Sequence, residues 1–471
     1  MNQNEIARLS ATESRRLVER GELSVVEVVE ACLERIQKCN PQINAICTLN
    51  EKALDEARLL EQRSARDKEK GLLFGLPVGI KDVTPVAGIR TTFGSTLYRD
   101  YVPREDALVV SRLKEAGAVI LGKTNTPEFA AGGNTYNEIF GRTSNPWNPE
   151  LSAGGSTGGG AAALASGMIT LAEGTDLGGS LRMPASFCGV VGLRPTPGVI
   201  PIYPSEFAWD NLNVCGPMAR TVEDVALMLQ VISGPSSLSP LSQFGEKRNF
   251  IKAGESATPK GARIAYCPDI AGIGIDTEIE KVCRKAALEL IQAGAKVHDI
   301  EFDLSFAWEA YVIIRGFWMV AQHYKHLDKL DQLGDNLRGN IQSGLKITME
   351  ELAAAEQTRG MLWLKFTHFF QKYDYLLTPT MAVPPFPVEK DYPEEIAGKE
   401  MKTYIDWFAP TFLLSLSALP IVSVPCGLDS KGLPVGIQIV GPQIGEEKVL
   451  ALAKQIQDAH PIGFPTLDKF I

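Results

Sequence analysis

The sequence predicts an α/β fold, a central mixed β-sheet covered by helices on both faces. Three observations carry that expectation. From residue 74 the chain becomes a series of short apolar runs separated by glycine and proline. An amphipathic run, DALVVSRLKEAG, is followed at once by an apolar one, AVILGKTN, and the same order returns in AAALASG and MITLAEGTD. Near the C-terminus, PIVSVPCG and VGIQIVG again read as buried strands. Helix and strand in alternation place a largely parallel or mixed sheet between helical layers, because each sheet face needs an apolar partner. No internal repeat is evident.

Taken in order, the first sixty-odd residues read as helical. Ser24 and Glu27 form a capping box; Val25, Val28, Val29, Cys32, Ile36 and Cys39 then share one face until Asn40 and Pro41, where the helix is expected to stop. A more highly charged helix is expected over residues 52–66, on the outside. LPVGIKDV follows as a strand that delivers Lys81 at its end. Residues 234–262 are polar and rich in turn formers and read as a long surface connection; residues 383–400, after the buried strand YLLTPT, read as a second. Between them lies an aromatic helix, residues 306–326, carrying Phe306, Trp308, Tyr311, Phe317, Trp318 and Tyr324. It is expected to pack in the core or to wall a pocket. The apolar run 411–427 is broken by Pro420 and Pro425, so it reads as a helix and a buried strand, not a membrane span.

Composition narrows the function classes. With 471 residues, 45% of them hydrophobic, the chain can bury a large core. A net charge of −9 without any basic block argues against a nucleic-acid or anionic-membrane partner. Eight scattered cysteines lack CxxC pairs and metal-ligand spacing; they read as reduced, mostly buried thiols, and neither a metal nor a cofactor is expected. The opening MNQNEIARLS lacks a cationic segment followed by an apolar one, so a cytoplasmic location is expected.

Function concentrates in residues 153–180, AGGSTGGGAAALASGMITLAEGTDLGGS, where glycines let the backbone turn sharply beside Ser156 and Ser180. The N–H groups of GTDLGGS are placed to converge on an anion. Two formal motif matches elsewhere fail on context. Residues 117–124 (GAVILGKT) have phosphate-loop spacing, but a buried strand occupies the place of the loop. Ser111 and Lys114 fit SxxK on an amphipathic helix without its partner motifs. A third match, GxSxG around Ser156, is preceded by the turn-like NPWNPELSA where a nucleophile elbow needs a strand. All five histidines lie at or beyond residue 298, which leaves a Ser…Asp…His order open. A serine nucleophile needs a proton acceptor, since its hydroxyl is barely ionised near neutrality. Lysine serves once burial lowers its pKa from about 10.4 to about 7 or 8, at roughly 3–5 kcal/mol. Lys81, alone in an apolar strand, is the lysine placed for this.

These blocks, in order, resemble the amidase signature enzymes: LPVGIKD, LGKTNTPEFA, the glycine-serine run, GTDLGGSLRMPASFCGVVGLRPT, GPMARTVEDVALML, LPIVSVPCG and GLPVGIQIVG. The resemblance covers nearly the whole chain. It implies an amidase-signature fold and a Ser-Ser-Lys triad in which Lys81 is the base, Ser156 the bridging serine after a cis peptide bond, and Ser180 the nucleophile. It further implies an oxyanion hole from the backbone N–H groups of Leu177, Gly178, Gly179 and Ser180. Thr175 and Asp176 are expected to brace the loop, and Arg182 to pair with a carboxylate.

On that basis residues 1–471 are expected to form one amidase domain: a helical N-terminal region (1–66), the signature core (67–230), a more variable pocket region (231–402) and a C-terminal return to the core (403–471). Aromatic residues Tyr203, Phe207, Trp209, Trp308, Tyr311 and Trp318 suggest a roomy pocket for an aryl or alkyl group. The expected activity is hydrolysis of small to medium amides, extending to esters or carbamates, by a monomer or homodimer whose partner is a small-molecule amide. The alternative is the glutamine-hydrolysing component of a tRNA-dependent amidotransferase, against which the segment PSSLSPLS departs from that component's usual continuation.

Overall fold

An eleven-stranded mixed sheet runs through the molecule. The structure is a computed structural model describing residues 1–64, 70–243, 248–255 and 259–467. The first strands in the chain are β1 (Ile46–Leu49), β2 (Pro77–Lys81), β3 (Val119–Thr124), β4 (Leu171–Asp176), β5 (Val191–Arg194) and β6 (Val214–Ala219). Later come β7 (Arg263–Tyr266), β8 (Lys296–Asp299), β9 (Tyr375–Pro379), β10 (Ile421–Leu428) and β11 (Pro434–Val440). Across the sheet the order is β1, β3, β2, β4, β6, β5, β10, β11, β9, β7, β8. β2 is parallel to β3 and β4, and β7 is parallel to β8 and β9. From β4 through β6, β5, β10 and β11 to β9 every pairing is antiparallel.

Side-chain alternation explains the two helical layers. Successive strand residues face opposite sides of a sheet. Val78 and Ile80 of β2, Val422 and Val424 of β10, and Ile437 and Ile439 of β11 meet helices Leu108–Glu115, Val222–Ile232, Thr277–Glu289 and Glu446–Ala459. On the other face Leu121, Ala172 and Met218 meet helices Val25–Ile43 and Gly158–Ala165. Leu376, Ala265 and Val440 meet helices Trp308–Gln322, Met349–Lys372 and Ala409–Ser415. Each fully buried aliphatic side chain contributes about 1.5–3 kcal/mol, so strands of four to six residues suffice when both faces are covered.

Several boundaries differ from the sequence expectation. The capping box forms, with Glu27 N–H donating to Ser24 Oγ at 3.0 Å and Ser24 N–H to Glu27 Oε2 at 2.8 Å. The helix nevertheless continues past Pro41 to Ile43, because a proline in the last turn removes only one helical bond and Asn44 closes the end at φ 53°. Asn40 Oδ1 accepts the N–H groups of Ala45 and Ile46, tying that end to β1. The charged helix spans Ala53–Ser64; residues 65 and 66 lie outside the described residues. The 234–262 connection contains the helix Phe250–Glu255, anchored by buried Phe250, and its residues 244–247 and 256–258 lie outside the described residues. Within 383–400, Phe386, Val388 and Ile396 are buried, so that segment is partly core and not a surface loop alone. Among the described residues no helix is long and apolar enough to cross a membrane.

Candidate active site

Two parallel strands end together at the site. β2 delivers Lys81 and β4 delivers Thr175 and Asp176 at their carboxyl ends, where α/β sheets leave room for ligands. Lys81 is fully buried. Its Nζ lies 2.7 Å from Ser156 Oγ, 2.9 Å from Thr157 Oγ1 and 3.0 Å from Thr175 Oγ1. Burial lowers its pKa to about 7, against the opposing pull of Glu173, Asp176 and Cys215. An uncharged amine has two N–H donors and one lone pair, so one of the three hydroxyls donates to it. Ser156, at the shortest distance, is the candidate.

Ser156 follows a cis peptide bond from Gly155, and Thr157 after it leads into the wholly buried helix Gly158–Ala165. The strand before it, Asn148–Ser152, pairs with Ser144–Asn145 in a small ribbon and bridges Pro387 through Leu151, outside the large sheet. That differs from a nucleophile elbow, in which a central strand leads into the serine.

The loop after β4 carries Ser180 and is held by Asp176. Asp176 accepts N–H groups from Gly179 at 2.8 Å and Leu181 at 3.2 Å, and it pairs with Arg182 and Arg194 at 3.0 and 3.3 Å. Burial works to raise this carboxyl, but the two guanidinium groups overcome it and hold it well below the usual carboxylate range. Arg182 thus pairs with a carboxylate, and Asp176 braces the loop. Gly178 and Gly179 are required sterically: a Cβ would come within 2.3 Å of Tyr311 Oη at Gly178 and 2.2 Å of Thr411 Oγ1 at Gly179, which also adopts φ +125°.

A cavity of about 330 Å³ opens over this loop, and Ser156, Thr175, Leu177, Gly178 and Ser180 all line it. Of the aromatic residues expected in a pocket, Tyr203, Phe207, Tyr311 and Trp318 line it. Trp308 does not; it packs edge-on against Phe412 at 5.2 Å. Trp209 does not either, and is 69% exposed. The helix Trp308–Gln322 therefore walls the cavity with Tyr311 and Trp318 and turns Phe317 outward.

The sequence profile of the Amidase family matches residues 27–450. The chain belongs to the amidase family. Amide hydrolysis is its chemistry. An acylamidase from Rhodococcus erythropolis is 36% identical over 470 residues, covering 98% of this chain and 97% of that one. A glutamyl-tRNA(Gln) amidotransferase component from Alkaliphilus metalliredigens is 33% identical, covering 92% of each chain. Among solved structures, a bacterial aryl acylamidase of the amidase signature family superposes with a TM-score of 0.89 at 28% identity, covering 96% of each chain. A 6-aminohexanoate cyclic dimer hydrolase complexed with substrate gives 0.88 at 28% identity, covering 98% of this chain and 99% of that one.

The structure of this amidase adds residues that sequence reading missed. Thr157 touches Lys81 and sits beside Ser156 in the same run, so proximity could have pointed to it. Glu173 is a buried acid inside the apolar MITLAEG run. It accepts the Lys81 backbone N–H at 3.2 Å, Thr84 Oγ1–H at 2.9 Å and Cys215 Sγ–H at 3.3 Å. Phe93, Tyr98 and Phe129 complete the cavity from loops that carry no periodic signal. Among the described residues no group of three or more His, Cys, Asp or Glu is arranged to hold a metal ion.

Proposed function

We propose that this amidase is a serine hydrolase that cleaves the C–N bond of small to medium aryl or alkyl amides through an acyl-enzyme. Ser180 is the nucleophile, Ser156 the relay and Lys81 the base. The observation that carries the reading is Lys81 Nζ 2.7 Å from Ser156 Oγ, in the wall of the cavity that Ser180 also lines.

Neutral Lys81 takes the proton of Ser156 as Ser156 takes that of Ser180, and Ser180 Oγ attacks the carbonyl carbon. Backbone N–H groups of Leu177, Gly178 and Ser180 hold the oxyanion, each worth roughly 3–4 kcal/mol in such sites. Gly179 N–H is already donated to Asp176, so we assign it to loop structure instead. Collapse expels the amine, which receives the proton back through Ser156; water then enters by the same route and releases the acid. Esters and carbamates share this tetrahedral intermediate and fall within the same reading. The relatives named for acylamidase and aryl acylamidase activity support it, as do the aromatic walls. Strands from residue 46 to residue 440 share one sheet, which supports reading the chain as one amidase domain.

A panel of chromogenic anilide, ester and carbamate substrates, run with wild type and Ser180→Ala, tests the proposal. Turnover of the anilide that disappears in Ser180→Ala is expected; a variant of normal activity would sink it. The similarity to an amidotransferase component favours one other reading, a glutaminase serving a partner. Ammonia release from glutamine without anilide turnover is the result that selects it.

A further inference from the structure

We propose that Arg315 forms an anion subsite in the cavity, and that the preferred substrates are amides carrying a carboxylate. This rests on the amide-hydrolase reading above and adds the substrate class.

Arg315 lies mid-way along the helix Trp308–Gln322, lines the cavity and is only 6% exposed. Its guanidinium donates to Asn340 Oδ1 and, at 2.5 Å, to Tyr404 Oη. Both partners are neutral. The other arginines named at the site and Lys325 have carboxylate partners: Arg182 and Arg194 share Asp176, and Lys325 pairs with Glu206. Among the described residues Arg315 forms no ion pair. Two further acids line the cavity, and the oxygens of both are occupied by neutral donors: Glu173 accepts from the Lys81 backbone N–H, Thr84 Oγ1–H and Cys215 Sγ–H, and Asp210 accepts Trp318 Nε1–H at 2.6 Å and the N–H groups of Leu212 and Asn213 at 2.8 and 3.0 Å.

A buried charge without a counter-ion is unfavourable, and arginine stays protonated and cannot escape by titrating. Its planar fork carries five N–H donors, of which Asn340, Tyr404 and the neutral hydroxyl of Tyr311 engage three; the two that remain suffice for a carboxylate bound by two hydrogen bonds. The position sets the spacing. Tyr311, one turn earlier on the same helix, abuts Gly178 of the loop that bears Ser180. Four residues of helix rise about 6 Å, so the anion sits on the order of one helical turn from the reacting carbonyl. Leu177 and Tyr311 line the cavity beside the Ser180 loop and, with Trp318 further along the helix, offer apolar wall for a short alkyl chain or one aryl ring.

Two matched pairs test the subsite: glutaryl-4-nitroanilide against valeryl-4-nitroanilide, and N-acetyl-4-aminobenzoate against acetanilide. Wild type should prefer the carboxylated member of at least one pair by about tenfold or more in kcat/KM, as expected where a built polar group would otherwise lack its partner. Arg315→Met should collapse that ratio towards one, and Arg315→Lys should retain part of it. Absence of any carboxylate preference, or an unchanged ratio in Arg315→Met, overturns the subsite. Should Arg315→Met fail to fold, wild type still decides. Valerate should compete against a neutral anilide where pentan-1-ol does not, and equal inhibition by the two overturns the proposal. Loss of the hydrolase reading looks different, since it appears as anilide turnover that survives in Ser180→Ala.

Discussion

At the scale of single residues the proposed chemistry turns on one amine. Lys81 is buried, sits near pKa 7 and touches three hydroxyls, so it is a base only in its unprotonated form. For that reason kcat/KM should rise with pH through about 7 and level off above it. Lys81→Ala should lower kcat/KM by about 10²- to 10⁴-fold, the range of a general base. Glu173 stands beside this lysine; burial pushes its carboxyl up, while hydrogen bonds from Thr84 and Cys215 and the charges of Lys123 and Lys81 work against that rise. Its negative charge supports the Lys81 ammonium, so Glu173→Gln should move the acid limb of the profile to lower pH. A limb that stays in place or moves up would show that Glu173 acts only structurally. Lys81 itself was legible from sequence, because a lone lysine ending an apolar strand is unusual. Arg315 was not singled out, although a single cation inside the aromatic run YVIIRGFW carries the same kind of signal. The difference is that its aromatic residues marked that helix as core packing or a pocket wall, and neither reading says which side chain faces a cavity.

At the scale of elements, the loop between β4 and the helix Arg182–Cys188 is held by one carboxylate between two guanidinium groups. Asp176→Asn keeps the shape and removes the charge, leaving two buried cations unpaired. It should destabilise the fold by about 3–5 kcal/mol, measured as a lower denaturant midpoint at unchanged m-value. Because the folded carboxyl titrates below its unfolded value, this stabilisation is fully present above the ordinary carboxylate range and is lost as pH falls beneath it. A midpoint equal to that of wild type would contradict the bracing role. The expectation that Thr175 and Asp176 brace the loop while Arg182 pairs with an acid accompanied the family resemblance; Asp176 and Arg182 are so placed, whereas the Thr175 hydroxyl meets Lys81. What sequence did not show was that Gly179 N–H is committed to that acid, since backbone hydrogen bonds in an irregular loop leave no pattern.

The whole molecule places these elements by joining distant parts of the chain. β2, β4 and β10 were readable as strands because both of their faces are buried and each contains or continues a short apolar run. β1, with only its first residue buried, and β8, with none, lie at the two edges and lack such runs. Helix Trp308–Gln322 reaches the cavity from far along the chain and turns Tyr311 and Trp318 into it but not Trp308; Trp209, in the separate 203–212 segment, is exposed. A helix of aromatic residues announces a wall without its inner face. The central claim spans all three scales, that Ser180 carries the acyl group while Ser156 passes the proton to Lys81. The most direct measurement is peptide mapping by mass spectrometry after rapid acid quench of the wild-type enzyme turning over an activated ester. The account predicts an acyl adduct on the peptide bearing Ser180, absent in Ser180→Ala. An adduct on Ser156, or one that persists in Ser180→Ala, would contradict it.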